Sequence, residues 1–382
     1  MSVGYLPALP WHASSWQALQ PLRERGVHAL LLHGAAGIGK KSLALDLARA
    51  TLCESRASDG RACGACAGCL LTAAGNHPDL RIVVPDTLAE WRAAAADEAS
   101  ADDEAGAEEG EAEPVAGGKT KRISREIRIE QVRALADFVA TSTHRGGSRV
   151  VLLAPAELLN TASANALLKM LEEPPPGSLF VLVADALDDV LPTIRSRCVL
   201  ARVPAPQRDV ALTWLRQQLA QPSAGAAPID AESSLAAAGG APLLALAQAG
   251  GADLDADARA VLAELLGRGA QLTAAEVAGR VPKSIAVAPA LALLQRWGWD
   301  LLALSTLRTA TAVRYHPREA SALARVARQT EAGAVLAWLA RLGAQRATQE
   351  HPLNARLVIE AVLLDYIACF QPVPPMAGRP AR

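Results

Sequence analysis

The chain has 382 residues, with 38 lysines and arginines against 39 aspartates and glutamates, for a formal net charge of −1. That length leaves room for two or three domains, and the charge balance excludes a protein that holds nucleic acid by bulk positive charge. No apolar run reaches the roughly 18 residues of a membrane helix. The first residues, Met1-Ser2-Val3-Gly4-Tyr5-Leu6-Pro7, lack a charged stretch leading into an apolar one, so a cytoplasmic protein without a membrane partner is expected. Aromatics make up only 3% of the chain, so aliphatic side chains must fill the cores, and the abundant alanine and leucine favour helices.

Val27 to His33 reads as a short buried strand, and Leu43 to Ala48 continues at helical spacing. Between them lies Gly34-Ala35-Ala36-Gly37-Ile38-Gly39-Lys40-Lys41-Ser42. A glycine loop between strand and helix is the context of a phosphate-binding loop. Gly34, Gly37 and Gly39 would let backbone N–H groups close around phosphate oxygens, and Lys40 would supply a point charge. The next position should carry a Ser or Thr hydroxyl for magnesium, but it holds Lys41. An ammonium cannot ligate a cation, and Ser42 sits about 100° further round the helix. The expectation is a nucleotide-type fold with impaired metal handling; whether the loop retains ATP or ADP stays open.

Cys53, Cys63, Cys66 and Cys69 follow in the pattern Cys-x9-Cys-x2-Cys-x2-Cys. In a reducing compartment this spacing points to metal instead of disulfides. Four thiolates can surround zinc at about 2.3 Å and leave no open position, so the site is expected to be structural. Arg56 and Arg61 stand nearby to offset negative charge, while Cys198 and Cys369 read as isolated small core residues.

From about residue 88 to 118 the composition changes to Ala, Asp, Glu and Gly, too polar to offset its ordering entropy, and is expected to be a disordered acidic insert. Lys119, Lys121, Arg122 and Arg125 close it as a solvated rim, and ordered sequence resumes at Ile127 to Val132. Arg149 to Leu153 is an apolar strand of the kind buried on both faces. An ATPase would end that strand in acidic residues; here stand Ala154 and Pro155, and Glu157 is expected to begin the next helix.

Ala166, Leu167, Met170 and Leu171 give one apolar face to a helix that Pro174 and Pro175 stop. Glu172 and Glu173 fall at its C-terminal end, where the macrodipole does not favour negative charge. A strand over Leu179 to Val183 and the segment Ile194-Arg195-Ser196-Arg197-Cys198 come next. Breaks at Val203-Pro204-Ala205-Pro206 and Gly250-Gly251 divide the helical remainder. Helical spacing there relates Leu291, Leu293, Leu294, Trp297, Leu301 and Leu302, then Val335, Leu339 and Leu342, then Leu357, Val358, Val362 and Ile367.

Asn165-Ala166-Leu167-Leu168-Lys169-Met170-Leu171-Glu172-Glu173-Pro174-Pro175, the Ser196-Arg197-Cys198 triplet, the four cysteines, Gly75-Asn76-His77-Pro78-Asp79 and the altered phosphate loop occur together. This set resembles the clamp-loader branch of the AAA+ family, from about Tyr5 to Cys198. The resemblance implies an α/β AAA+ (P-loop NTPase-like) parallel-sheet domain over residues 1–203. A small helical lid over 204–250 and an all-α C-terminal collar over 251–382 would follow, with some collar surface meeting neighbouring subunits. It also implies that Arg197, framed by Ser196 and Cys198, reaches the γ-phosphate of ATP bound to a neighbour. Partners would be gamma/tau and delta clamp-loader subunits, with the sliding clamp and primed DNA reached through the complex. A hydrolysing gamma/tau-type subunit is the alternative; it meets unsuitable chemistry at Lys41, Ala154, Ala184 and Leu243. A zinc-dependent DNA-binding module is the other, and it lacks the histidine pair and recognition helix of a DNA-reading finger.

Overall fold

Strands that are apolar on both faces, such as Leu30-Leu31-Leu32 and Val150 to Leu153, need helices above and below them. The computed structural model describes residues 8–88, 124–141, 143–144, 147–220, 229–250, 254–307, 309, 312–347 and 354–371. The chain divides into two units, Met1–Gln207 and Arg208–Arg382.

The first unit holds a parallel sheet. Its described strands are β1 (Ala29–His33), β2 (Leu80–Val83), β3 (Arg149–Leu153), β4 (Ser178–Ala184) and β5 (Val199–Arg202), in the order β2-β3-β4-β1-β5. β4 is the middle strand and β1 lies between β4 and β5, with Leu31 level with Leu182 of β4 and Leu200 of β5. Because side chains alternate across a strand, Leu31, Val151, Phe180 and Leu182 join one buried cluster. Its other members include Val132, Leu135 and Val139 of α4 (Ile129–Ala140) and Leu167, Met170 and Leu171 of α5 (Thr161–Glu172). Leu30, Leu32, Val150, Leu152, Val181 and Val183 take the alternate positions and are also buried. α2 (Lys40–Leu52) packs against β3 and β4. Burying a leucine or valine of this kind contributes about 1.5–3 kcal/mol.

Three further helices lie among the unit's described residues: α1 (Ala13–Glu24), α3 (Ala67–Ala73) and α6 (Pro192–Arg195). Gly75 to Asp79 serves as a structural joint. Asp79, 1% exposed, accepts from the His144 N–H and pairs with the buried Arg149 at the start of β3. Glu157 does not begin a helix as expected. It lies in a single 3-10 turn, Ala156–Leu158, and α5 starts only at Thr161, because the Asn160 side chain accepts from the Ser163 N–H and caps it. The acidic insert at about 88–118 lies, but for its first residue, outside the described residues, as do Lys119, Lys121 and Arg122.

The described elements of the second unit are all helices. α7 (Arg208–Leu219), α8 (Ala231–Ala237) and α9 (Pro242–Ala249) pack on one another. Then come α10 (Ala256–Gly267), α11 (Ala274–Arg280), α12 (Val287–Leu307), α13 (Ala320–Ala327), α14 (Ala332–Ala347) and α15 (Ala355–Ile367). Trp297, Trp338 and Tyr366 are fully buried among leucines. Their polar atoms are satisfied: Trp297 Nε1 donates to the Tyr366 hydroxyl, which donates to the Leu266 carbonyl, and Trp338 Nε1 donates to the Val362 carbonyl. The expected inward faces hold for Leu291, Leu293, Leu294, Trp297 and Leu301 and for Val335, Leu339 and Leu342. Leu357 is 60% exposed, because α15 turns Ile359, Val362, Leu363 and Tyr366 inward instead. Among the described residues no helix is long and apolar enough to cross a membrane.

Candidate functional site

Ligands of open parallel sheets bind outside the carboxyl ends of the strands. Here the glycine loop follows β1, Glu157 follows β3, Asp185 follows β4 and Val203 follows β5. Gly34, at φ +154°, has no room for a side chain, because a Cβ there would collide with the Val203 carbonyl. Gly39 caps α2 in the left-handed region at φ +89°, and a Cβ would strike Leu9 and His12. The loop is held from that side by two donors to one acceptor. Trp11 Nε1 lies 2.8 Å and His12 Nε2 2.9 Å from the Ile38 carbonyl. A carbonyl only accepts, so the His12 proton resides on Nε2. Burial, the leading cause, and the Arg61 charge hold the His12 pKa below its ordinary value, although the Ile38 hydrogen bond acts in the other direction.

Lys40 is the first residue of α2 and only 3% exposed. Its Nζ donates to the Gly34 carbonyl at 2.8 Å and the Ala35 carbonyl at 2.6 Å, and pairs with Asp185 Oδ1 at 2.6 Å. An ammonium has three N–H donors, so acceptors within the chain match them one for one. The Asp185 N–H in turn donates to Glu157 Oε1 at 2.9 Å. Burial raises the Glu157 pKa, and the adjacent Asp185 adds to the rise against hydrogen bonds that lower it. Lys41 belongs to the same group of charges. Burial lowers its pKa, Asp185 and Glu157 oppose that, and Lys40 reinforces it. Two ammonium groups and two carboxylates thus meet where phosphate and magnesium would meet in an ATPase. Ala154 and Ala184, at the ends of β3 and β4, are fully buried and bring no polar group.

The four cysteines converge. Their sulfurs all lie within 4.8 Å of one another, with Cys53–Cys66 at 3.8 Å and Cys63–Cys69 at 3.9 Å. A tetrahedron with metal–sulfur bonds of about 2.3 Å has edges of about 3.8 Å, so the residues fit zinc. Backbone N–H groups of Cys63, Cys66 and Cys69 donate to the sulfurs of Cys53, Cys63 and Cys66 in succession, as suits thiolates. Burial opposes ionisation of Cys66, yet backbone hydrogen bonds with Glu54 and Cys69 and the neighbouring thiols bring it down to about 6. Burial pushes Cys69 up to about 12. A divalent cation would override that rise, since a coordinating thiol is deprotonated outright. The module is tied to its surroundings: Arg61 stacks on Trp16 and pairs with Asp59, while Arg23 donates to the Gly60 carbonyl.

Arg197 follows α6 and is about one-third exposed. Its Nε donates to Glu172 Oε1 at 2.6 Å, and Nη2 contacts the same oxygen. Nη1 donates to the Thr193 carbonyl and to Ser196 Oγ, both at 3.1 Å. Cys198 packs against the sheet core, and burial pushes its thiol up to about 12.

A family model described as DNA polymerase III, delta subunit, matches residues 16–207, about half of the chain. The chain belongs to that family. The family match takes in all five described strands, the glycine loop, the four cysteines and Arg197, and ends where the second unit begins. DNA polymerase III subunit delta' of Pseudomonas aeruginosa is 39% identical over 236 residues, 62% of this chain and 60% of that relative. The Escherichia coli protein of the same name is 31% identical over 212 residues, 55% of this chain and 53% of the relative. The chain therefore covers less than two thirds of either relative. A solved Thermotoga maritima structure titled as a DNA polymerase III gamma subunit-related protein is 16% identical, with TM-score 0.40, covering 94% of this chain and all of that one.

The sequence alone singled out the loop, the cysteines and Arg197, but not the groups around the loop. Asp185 and Glu157 escaped it because they meet Lys40 only through the strand order, although both follow strands at the carboxyl edge. Trp11 and His12 gave no signal, since a His beside a Trp near a chain start fits any surface turn.

Proposed function

We propose that the chain is the delta-prime subunit of a DNA polymerase III clamp loader: a non-hydrolysing AAA+-type member that supplies Arg197 in trans to a neighbour's ATP. The single observation carrying this reading is the contrast between its two cationic sites. Lys40 is buried and matched donor for donor within the chain, whereas Arg197 is held by polar contacts at an accessible surface. A finger of that kind stabilises charge on the transferred phosphoryl and can contribute about 10³–10⁵ in rate.

Lys41 and Ala154 support the non-hydrolysing part, since neither can hold magnesium. Cys53, Cys63, Cys66 and Cys69 would hold a structural zinc that fixes the loop after α2. Residues 204–250 would act as a lid and 251–382 as a collar joining gamma/tau and delta subunits, so that the complex opens the sliding clamp and sets it on primed DNA. Arg56 donates to the Ala50 and Thr51 carbonyls and Arg61 is engaged with Trp16, Asp46 and Asp59, which argues against a zinc module that reads DNA.

The test is ATP hydrolysis by the purified chain alone, and then mixed with gamma/tau and delta subunits, clamp and primed DNA. Silence alone, turnover in the mixture and a loss of about a hundredfold or more with Arg197→Ala are expected. Hydrolysis by the isolated chain that Lys40→Ala abolishes would sink the non-hydrolysing reading, and unchanged mixture turnover with Arg197→Ala would sink the finger.

A further inference from the structure

Glu172 closes α5 at the end where a helix disfavours negative charge. A carboxylate placed there against the dipole needs a cation nearby, and Arg197 is that cation, 25 residues along the chain. A guanidinium carries five N–H groups in a rigid planar fork. Glu172 engages the Nε and Nη2 edge, while the Thr193 carbonyl and Ser196 Oγ engage Nη1, which leaves one Nη2 N–H uncommitted. Ser196 acts as a bracket, since its hydroxyl donates to the Thr193 carbonyl at 3.1 Å while accepting from Arg197. The pair is not buried: the Glu172 side chain is 47% exposed and that of Arg197 34%.

From this geometry we infer that Glu172 is the positioning residue of Arg197: it holds the guanidinium ready at the surface, so that meeting a phosphate oxygen of a neighbouring subunit requires no ordering of a long side chain. The inference rests on the reading of Arg197 as a trans finger. An arginine free in solvent would have to give up its rotamer freedom each time it engaged, and displacement by about 1 Å can cost around a hundredfold in rate. A grip along one edge fixes the plane while leaving the net attraction of the cation for a phosphate dianion, which outweighs a single partly solvated carboxylate. Glu172 acts through Arg197 and need not touch nucleotide.

The experiment uses the full chain with Glu172→Ala and Glu172→Gln, each assembled with gamma/tau and delta subunits. Glu172→Ala should lower kcat for ATP about tenfold to a hundredfold with KM and assembly unchanged, and Glu172→Gln, which keeps an acceptor oxygen, should recover most of it. A second readout needs no partner: phenylglyoxal labelling of the chain alone, followed at the Arg197 peptide by mass spectrometry, should be faster in Glu172→Ala than in wild type. Equal labelling would show that no grip exists and would overturn the inference whatever the turnover. Faster labelling with unchanged or raised turnover would mean that Glu172 stores the arginine, which also overturns it. If Arg197→Ala leaves turnover intact while labelling still responds to Glu172, the finger reading itself has failed and the positioning role falls with it, a failure visibly different from loss of the grip.

Discussion

Lys40 and Arg197 carry the same charge and meet opposite fates. The ammonium of Lys40 sits 3% exposed with two carbonyls and Asp185 around it, whereas Arg197 keeps a third of its side chain in solvent. Asp185 supplies the negative charge beside Lys40, and removing it should open the Lys40 ammonium to an added anion. Asp185→Ala should be destabilised on its own, because a buried ammonium loses its counter-charge. Millimolar pyrophosphate or ADP, added without magnesium, should then raise its melting temperature by several degrees through binding linkage, while the wild-type chain shows little shift. Equal shifts in the two proteins, measured by thermal denaturation, would mean that Asp185 does not keep anions from Lys40. None of this was legible in the residues around the loop. Lys41 and Ala154 announce what the site lacks, but the group that fills it comes from the end of another strand.

At the scale of elements, the four-cysteine module was the most legible part, because all four thiols lie within one short stretch and spacing alone nearly fixes their geometry. The structure adds the reason the stretch stays in place: Trp16 Nε1 donates to the Asp59 carbonyl, and Arg61 lies against both Trp16 and Asp46 of α2. One zinc per chain is expected by elemental analysis, and Cys63→Ser, at an exposed ligand, should lose it. Chelation should lower the melting temperature of the first unit's transition by several degrees, a smaller loss than the apparent binding energy of about 10–16 kcal/mol in isolated zinc peptides would give, since the sheet has an apolar core of its own. A metal-free chain with undiminished stability would refute the structural role. α5 was legible in a different way. Its apolar stripe was plain, but the terminal Glu172 made sense only when Arg197 was seen beside it.

At the scale of the whole molecule, the division after Gln207 separates a sheet unit from a helical one. The parallel sheet could be read ahead because runs such as Val150 to Leu153 permit burial only from both sides, while strand order, which brings Asp185 and Glu157 to Lys40, could not. In the second unit, leucine spacing related the apolar residues of each helix but could not separate buried ones from exposed Leu357, since helical periodicity does not say where a stripe begins. It also gave no hint of Gly298, where a Cβ would come 2.6 Å from Leu339 Cδ2 and 2.9 Å from Trp338 Cζ3. Gly298→Ala gains about 1 kcal/mol of helix propensity against an overpacking cost of about 1–3 kcal/mol. The expected result is a lower melting temperature for the helical unit with metal content untouched; a higher one would show that α12 and α14 part easily.

The loop whose lysine is satisfied by its own chain has a consequence for timing. If, as proposed, Lys40 keeps its partners within the chain throughout, the fold would not register the cell's ratio of ATP to ADP. Starvation or abundance would then leave its shape the same, and any rhythm of an assembly containing it would be kept by other members.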